Sequence, residues 1–244
     1  MQTFLPSAAL RPYVRSILVI GSAGGMDSRV VPDTSVVLAL RFAGLVRGIP
    51  PFALSGLQKS ARVLTYEPGT GTVLVLFREG GARHFFPLPM HEFYGVSEDL
   101  GAFVPASVLS RLATELALAP DRVAVAERFL LDRLSTSAGD RLVFEAVRRI
   151  RATGGEARIG DLLKDIPLSR DPFEKRFRQA IGATPKQFSG IVRFRNLLAR
   201  YPLMDNLTRA AYASGYFDQA HFIKDFRIFT GKTPGDFFSG PAFW

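Results

Sequence analysis

The sequence predicts an α+β protein with two parts: a small antiparallel β-sheet or barrel with helices after it, then an all-α domain. Short β-branched and aromatic runs, separated by Gly and Pro clusters, fill residues 13–78. After residue 105 the apolar period becomes helical. Residues 169–237 contain an internal repeat. Together these observations predict two helix-turn-helix motifs, joined by a long helix, behind an N-terminal sheet.

The strand-like part contains four runs, at residues 13–20, 35–42, 61–66 and 72–77. The glycine-rich residues 21–25 are not followed by the Lys and Ser/Thr of a phosphate-binding loop, and no helix is predicted to begin there. We therefore expect a hairpin turn at this point rather than a nucleotide site.

A small group of metal-ligand residue types follows the strands. His84, His91 and Glu92 lie within nine residues of one another, and a barrel-fold metal site uses such a set. Pro87 and Pro89 between them prevent a regular helical pair of histidines. We expect no bound metal and no cofactor, with both histidines packed or at the surface.

The same segment is rich in aromatic side chains. Phe85, Phe86 and Tyr94 are candidates for the wall of an apolar ligand pocket. The alternative is that these rings belong to the core, which is the more frequent role of aromatic residues in a small domain.

Two amphipathic helices are predicted next, at residues 107–119 and 121–134. Packing over the sheet is favoured slightly over a role as a dimer surface. The small polar residues 135–140 then predict a linker. The predicted domains are residues 1–134, for sensing or dimerisation, and residues 139–244.

The repeat in the second domain has a spacing of 49 residues. Each copy has Phe at i and i+4, hence on one helix face, then a Gly and a Thr-Pro that end the helix. Seven residues match in one register, which makes chance an unlikely cause: Phe173, Phe177, Arg178, Gly182, Thr184, Pro185 and Phe188 correspond to Phe222, Phe226, Arg227, Gly231, Thr233, Pro234 and Phe237.

The second copy is preceded by a short helix of small residues and by Gly215, which permits a tight turn. On these residues, the segment 142–238 resembles the DNA-binding domain of AraC-type (AraC/XylS) transcriptional regulators. The resemblance covers about two fifths of the chain and is most specific over residues 210–237. It implies a sequence-specific bacterial regulator of transcription, whose N-terminal half is a cupin-like sensor domain.

The resemblance also implies which side chains face DNA. Lys donates to guanine, Glu accepts from cytosine and Gln reads adenine. The implied DNA-binding residues are Asp171, Glu174, Lys175 and Arg178 in the first motif, and Gln219, Ala220, His221, Lys224 and Arg227 in the second.

Charge and composition agree with a nucleic-acid partner. Residues 1–138 contain 13 basic and 11 acidic side chains, whereas residues 139–244 contain 18 and 11. The basic excess therefore belongs to the repeated part, where it attracts DNA phosphates. The chain has no cysteine, which excludes disulfides, thiolate metal sites and cysteine nucleophiles. Without a signal peptide or a membrane span, a cytoplasmic, nucleoid-associated protein is expected.

The expected partners are double-stranded DNA, a small-molecule effector, a second copy of the chain and, for an activator, RNA polymerase. Two alternatives for the N-terminal domain stay open at this point. Instead of a sensor, it is a protein-interaction module or a metal-dependent enzyme tethered to DNA, although we expect no enzymatic activity. An alkyl-transfer protein of the Ada type is excluded, because its acceptor cysteine is absent.

Overall fold

The computed structural model describes residues 1–135, 139–164, 166–201, 207–216 and 218–238. Its N-terminal half is built from strands with helices after them. The strands are β1 (Gln2–Phe4), β2 (Val14–Ser22), β3 (Met26–Val30), β4 (Val37–Ala43), β5 (Phe52–Ser55), β6 (Arg62–Tyr66), β7 (Thr70–Phe77) and β8 (Ser97–Asp99).

Within the described residues the strands form two antiparallel sheets. The larger sheet has the order β1-β2-β7-β4-β5-β8, and the smaller one pairs β3 with β6. The predicted antiparallel sheet is confirmed. The predicted hairpin at residues 21–25 is wrong, because β2 and β3 belong to different sheets and the glycine-rich segment carries the chain from one to the other.

The central strand β7 shows why the sheet has two different faces. Val73, Val75 and Phe77 are fully buried in the main core. Leu74 and Leu76, which alternate with them, point to the opposite face, toward the smaller sheet. Since side chains alternate across a strand, one face of the sheet meets the helices and the other is left to line a space between the two sheets.

Two helices, α1 (Ala106–Leu118) and α2 (Arg122–Leu131), cover the core face of the sheet. Leu112 and Leu116 of α1, and Phe129 of α2, are buried in the main core. Asp121 begins α2, where its carboxylate accepts a hydrogen bond from Ala124 N at 2.9 Å. The expected packing of these helices over the sheet is confirmed.

The C-terminal half is helical, as predicted. Its helices are α3 (Arg141–Ala152), α4 (Ile159–Leu163), α5 (Arg170–Ile181), α6 (Pro185–Arg200), α7 (Leu207–Tyr212), α8 (Gln219–Thr230) and α9 (Pro234–Phe238). The short α4 and the longer α5 form the first motif, α7 and α8 form the second, and α6 connects the two.

The repeated phenylalanines form the core of each motif. Phe173 and Phe177 are fully buried on α5 with ring centroids 5.8 Å apart, and Phe222 and Phe226 on α8 lie 5.6 Å apart. The repeated glycine ends each of these helices in the left-handed region, as at Gly182, where φ is +96°. The repeat in the sequence is therefore a repeat in the structure.

The N-terminal and C-terminal halves share one hydrophobic core. A single cluster of buried side chains runs from the sheet through Met90 and Val143 to Phe177. The 3-10 helix Met90–Phe93 lies against α5, and a Cβ added to Gly182 would come within 3.1 Å of the Met90 carbonyl oxygen. The division at residues 135–139 stays a prediction, and residues 136–138 lie outside the described residues.

Polar contacts also join the two halves. Asp33 forms an ion pair with Arg195 of α6 at 3.3 Å. Arg151 of α3 donates to Glu79 and, at 2.8 Å, to the Thr34 hydroxyl. The Arg151 guanidinium is therefore engaged by the N-terminal half and is not available to DNA phosphates.

Candidate nucleic-acid interface

The predicted reading helix of the first motif, α5, has one buried and one polar face. Phe173 and Phe177 hold the helix against the core. Asp171, Lys175 and Arg178, on the other side, are exposed. Ser169 stands at the N-cap, but its side chain makes no capping hydrogen bond.

Glu174, the fourth candidate on α5, is half-buried and paired along the helix. The Arg170 Nε lies 2.9 Å from its Oε1, at the i, i+4 spacing that favours such pairs. Asp171 and Glu174 are both acidic, and unpaired carboxylates on this face would repel DNA phosphates. The structure shows that one of these charges is offset by a cation of the same helix.

The predicted reading helix of the second motif, α8, is arranged in the same way. Gln219, Ala220, Lys224 and Arg227 are exposed, opposite the buried phenylalanines. The side chain of His221 lies outside what the structure describes. All the other candidates of the two motifs therefore lie on solvent-facing or half-buried surface of α5 and α8.

The turn before α8 has the geometry that a glycine permits. Gly215 has φ of +81°, and a Cβ built there would lie 2.3 Å from Glu156 Cγ. Ser214 beside it is 2% exposed, and its hydroxyl has no hydrogen-bond partner among the described residues. The turn is thus packed tightly against the segment that links α3 to α4.

A groove of about 790 Å³ lies where the two motifs meet. It is bordered by α3, the α3–α4 segment, α4, the C-terminal end of α6 and the turn before α8. Four arginines line it: Arg148, Arg149, Arg158 and Arg200. The sequence showed these as separate residues on three elements, and periodicity gave no signal that they would meet.

Two of these arginines share one carboxylate. Glu145 accepts hydrogen bonds from Arg148 at 2.7 Å and from Arg149 at 2.8 Å. Hydrogen bonding to Arg148 and then to Arg149 lowers the pKa of Glu145 to about 2. Glu145 is therefore ionised at neutral pH and offsets part of the positive charge at this end of the groove.

The space between the two sheets is a cavity of about 590 Å³. The inner residues of β2, β4 and β7 form one wall, and β3 and β6 form the other. Apolar residues dominate these walls, including Leu18, Val37, Leu64, Leu74 and Leu76. Its size falls within the range of small-molecule sites in proteins.

Arg62 on β6 supplies a cation to this apolar cavity. Its Nη1 donates to the Ser97 hydroxyl at 2.8 Å, while its Nε is buried with no partner among the described residues. Desolvation by burial lowers the pKa of Arg62. An unpaired buried N–H is costly, so an acceptor at this position would be favoured.

The aromatic residues proposed for a ligand pocket lie elsewhere. Phe85 and Phe86 are each 1% exposed in the main core, where Phe85 packs on Phe77 with centroids 5.4 Å apart. Tyr94 is half-buried under the Lys59 ammonium group, 5.3 Å from the ring centroid. None of the three lines the cavity between the sheets. Phe85 and Phe86 belong to the hydrophobic core instead.

The histidine pair lies on two short 3-10 helices, Gly81–His84 and Met90–Phe93. His84 Nδ1 is 3.2 Å from the Ser135 carbonyl oxygen. No group of three metal-ligand side chains occurs in the described part of the chain. Over the same residues, no helix has both the length and the apolar character needed to cross a lipid bilayer.

Comparison with known proteins agrees with the helical repeat. A family model described as a helix-turn-helix domain (HTH_18) matches residues 162–240, and one described as a domain of unknown function (DUF6597) matches residues 2–98. No curated protein matches the chain.

Among solved structures, a 1.65 Å structure of ToxT from Vibrio cholerae has a TM-score of 0.44 and 11% identity, over 91% of this chain and 96% of ToxT. ToxT with bound (E)-4-(8-methylnaphthalen-1-yl)but-3-enoic acid gives the same values. A ToxT structure with a bound unsaturated fatty acid has a TM-score of 0.42 and 15% identity, over 91% of this chain and 93% of ToxT. We draw no function from likenesses at this level.

The helix-turn-helix model, by contrast, spans both repeats, from the end of α4 through α9. It coincides with the helices whose polar faces are exposed and with the basic part of the chain. Residues 162–240 therefore form a helix-turn-helix domain of the AraC type, as the repeat predicts.

Proposed function

We propose that the protein reads double-stranded DNA with α5 and α8, each placed in the major groove. The observation that supports this most directly is the repeated amphipathic design, in which two phenylalanines anchor each helix and the polar face stays accessible. A helix of this kind fits the major groove, and its outward side chains then reach base edges.

The connecting helix supports the use of both motifs on one face of DNA. α6 has 16 residues, which corresponds to about 24 Å at 1.5 Å per residue. Successive major-groove segments on one face of DNA lie about 34 Å apart. The two motifs extend beyond the ends of α6. Their reading helices can therefore reach two successive major-groove segments on one face of DNA.

The chemistry of the exposed residues differs between the motifs. On α8, Gln219 suits adenine and Lys224 suits guanine, and Arg227 is placed for base or phosphate. On α5, Lys175 and Arg178 are cations, whereas Asp171 is an anion that suits cytosine or faces away from phosphate. We propose that α8 contributes more of the non-specific affinity than α5.

Replacement of Lys224 tests the assignment of α8. A preferred site is first selected from a random DNA pool with the parent protein. Lys224→Ala should then weaken binding to that site by about 1–3 kcal/mol if the side chain contacts a base. If it contacts phosphate, the loss should be equal on random DNA, and the salt slope should shrink by about one.

The control is Lys59→Ala, which removes an exposed lysine from the N-terminal half. It should bind both DNAs like the parent. Should Lys224→Ala also bind both DNAs like the parent, α8 does not enter the groove and the proposal for this helix fails.

We also propose that the cavity between the sheets binds a small effector with an apolar body and one acceptor group, such as a carboxylate. The apolar walls suit the body. The Nε of Arg62, buried without a partner among the described residues, suits the acceptor. A charge-assisted bond to a buried guanidinium is stronger than one between neutral groups.

Decanoate and decanol are suitable probes, because they share an alkyl chain and differ in the head group. Decanoate should raise the melting temperature of the parent by mass action, and the rise should grow with the logarithm of the ligand concentration above Kd. Arg62→Met should abolish the preference for decanoate over decanol. Equal shifts with the two probes, or none with either, would contradict an acceptor-binding site at Arg62.

The remaining partners follow from the same function. We propose a homodimer, contact with RNA polymerase if the protein activates transcription, and a cytoplasmic location at the nucleoid. A regulator of this kind is typically not an enzyme, and we propose no catalytic activity.

A further inference from the structure

We propose that the groove between the two motifs is a phosphate-binding site for the DNA backbone that runs between the two reading helices. This inference rests on the DNA-binding function proposed above and adds a third contact to it. When two helices of one domain contact bases in separate major-groove segments, the negatively charged DNA phosphates between those segments also need positive partners. The four arginines that the fold collects between the motifs suit this role.

The position of Arg158 supports the proposal. Arg158 is exposed at the N-cap of α4, the first helix of the first motif. The first helix of a helix-turn-helix crosses the DNA backbone. Arg200 lines the same groove from the C-terminal end of α6 and is also exposed. One groove therefore receives a cation from the first motif and another from the connecting helix.

A second, independent observation comes from Ser214. This residue lines the groove at the turn of the second motif and is 2% exposed. Its hydroxyl is buried and has no hydrogen-bond partner within the described part of the chain. A buried donor without a partner is unusual, and a phosphate oxygen in the groove would supply the missing acceptor.

The acidic residues of the groove limit its charge. Asp161 lines it, forms an ion pair with Lys164 at 2.8 Å and interacts more weakly with Arg158. Glu156 also lines it, beside Gly215, and Glu145 holds Arg148 and Arg149. Arg158 and Arg200 are thus the two groove arginines for which the structure gives no carboxylate within ion-pair distance in the described residues.

The test measures the affinity for a random-sequence duplex at several salt concentrations. Each phosphate contact that is lost reduces the slope of log K against log salt by about 0.9. Arg158→Ala and Arg200→Ala should each reduce the slope by about this amount, and the double variant by about twice as much. Arg158→Lys should retain the slope, because it keeps the cation. Arg83→Ala, which removes an exposed arginine of the N-terminal half, should also retain it.

Removal of a carboxylate gives the opposite sign. Glu145→Gln removes the carboxylate that holds Arg148 and should steepen the salt slope relative to the parent. This variant guards against misfolding as the cause of any loss, because a damaged domain would not gain affinity. Thermal unfolding of every variant provides a second check.

Inorganic pyrophosphate distinguishes the source of the phosphate. If the groove instead serves a free phosphoanion, pyrophosphate should bind the parent by calorimetry and fail to bind the double variant, while the DNA salt slopes of both stay equal. That result, or unchanged slopes without pyrophosphate binding, would overturn the proposal. Failure of the parent itself to bind DNA would instead overturn the proposed function.

Discussion

An ion pair between Asp33 and Arg195 joins the N-terminal half to α6, the helix that connects the two motifs. Arg195 Nε lies 3.3 Å from one carboxylate oxygen of Asp33, and Arg15 of β2 lies 3.0 Å from the other. All three residues line the cavity between the sheets. An occupant of the cavity therefore lies beside the residues that hold α6 to the N-terminal half.

The Asp33 ion pairs predict an acid-sensitive domain contact. Burial alone would raise the pKa of Asp33, but Arg15 and Arg195 together outweigh it and hold the pKa below the ordinary value. A carboxylate with a lowered folded pKa stabilises the protein above the unfolded pKa, about 3.9, and this contribution disappears as the pH falls through the lower folded value.

Asp33→Asn should therefore destabilise the protein at pH 7, by about 1–3 kcal/mol for lost hydrogen bonds to charged groups. The difference from the parent should shrink as the pH falls below about 4. Urea unfolding at a series of pH values measures this. A difference that is constant with pH would show that the Asp33 charge is not the cause.

The Arg170–Glu174 pair predicts opposite effects for its two members. Glu174→Ala frees the Arg170 guanidinium on the polar face of α5, so non-specific DNA binding should strengthen and the salt slope should rise by about 0.9. Arg170→Ala leaves Glu174 uncompensated and should weaken binding. Titrations of both single variants and the double variant give the coupling. Equal losses from both single variants would contradict the assignment of this face to DNA.

Gly215 allows the effect of a backbone angle to be separated from that of a close contact. Gly215 and Gly231 both have positive φ, but only Gly215 has a neighbour, Glu156, where a Cβ would lie. Gly231→Ala should cost about 1–2 kcal/mol for the left-handed backbone. Gly215→Ala should cost more.

Chemical denaturation measures both variants. In the Glu156→Ala background the cost of Gly215→Ala should fall to that of Gly231→Ala. If Gly215→Ala is as stable as the parent, the turn does not require the described geometry.

The shared core predicts the outcome of limited proteolysis. The polar composition of residues 135–139 still predicts cleavage there. Because Val143 and Phe177 belong to the same buried cluster as the sheet, the two fragments should remain associated on gel filtration after cleavage. Their separation without denaturant would show that the halves are independent domains, as the sequence suggests.

Local sequence patterns predicted most helices of the C-terminal half. The Phe spacing, the Gly after each helix and the Thr-Pro pairs are short-range signals, and α5, α6 and α8 lie close to where these signals place them. Helix ends depend on backbone geometry within a few residues, as in the capping box of Thr184 and Gln187 at the start of α6.

The sheet was harder to predict, because strand pairing is a long-range property. The sequence located the runs that became β2, β4, β6 and β7, but it did not separate β3 and β6 into a second sheet. The cavity was missed for the same reason. Residues that line the cavity alternate along the strands with residues of the core. The local sequence does not distinguish an apolar side chain that packs against a helix from one that faces a cavity.

The sequence by itself determined the helix-turn-helix domain, because the repeated motif specifies its own helices through contacts a few residues apart. Only the tertiary structure decided how charges are used. Arg151 pairs with Glu79, Arg195 pairs with Asp33, and Arg158 and Arg200 line one groove, all at sequence separations of more than 40 residues. Such pairings depend on how the chain packs. Solvent exposure and the distance to an opposite charge together decide whether an arginine forms an ion pair within the protein or stays available to a binding partner.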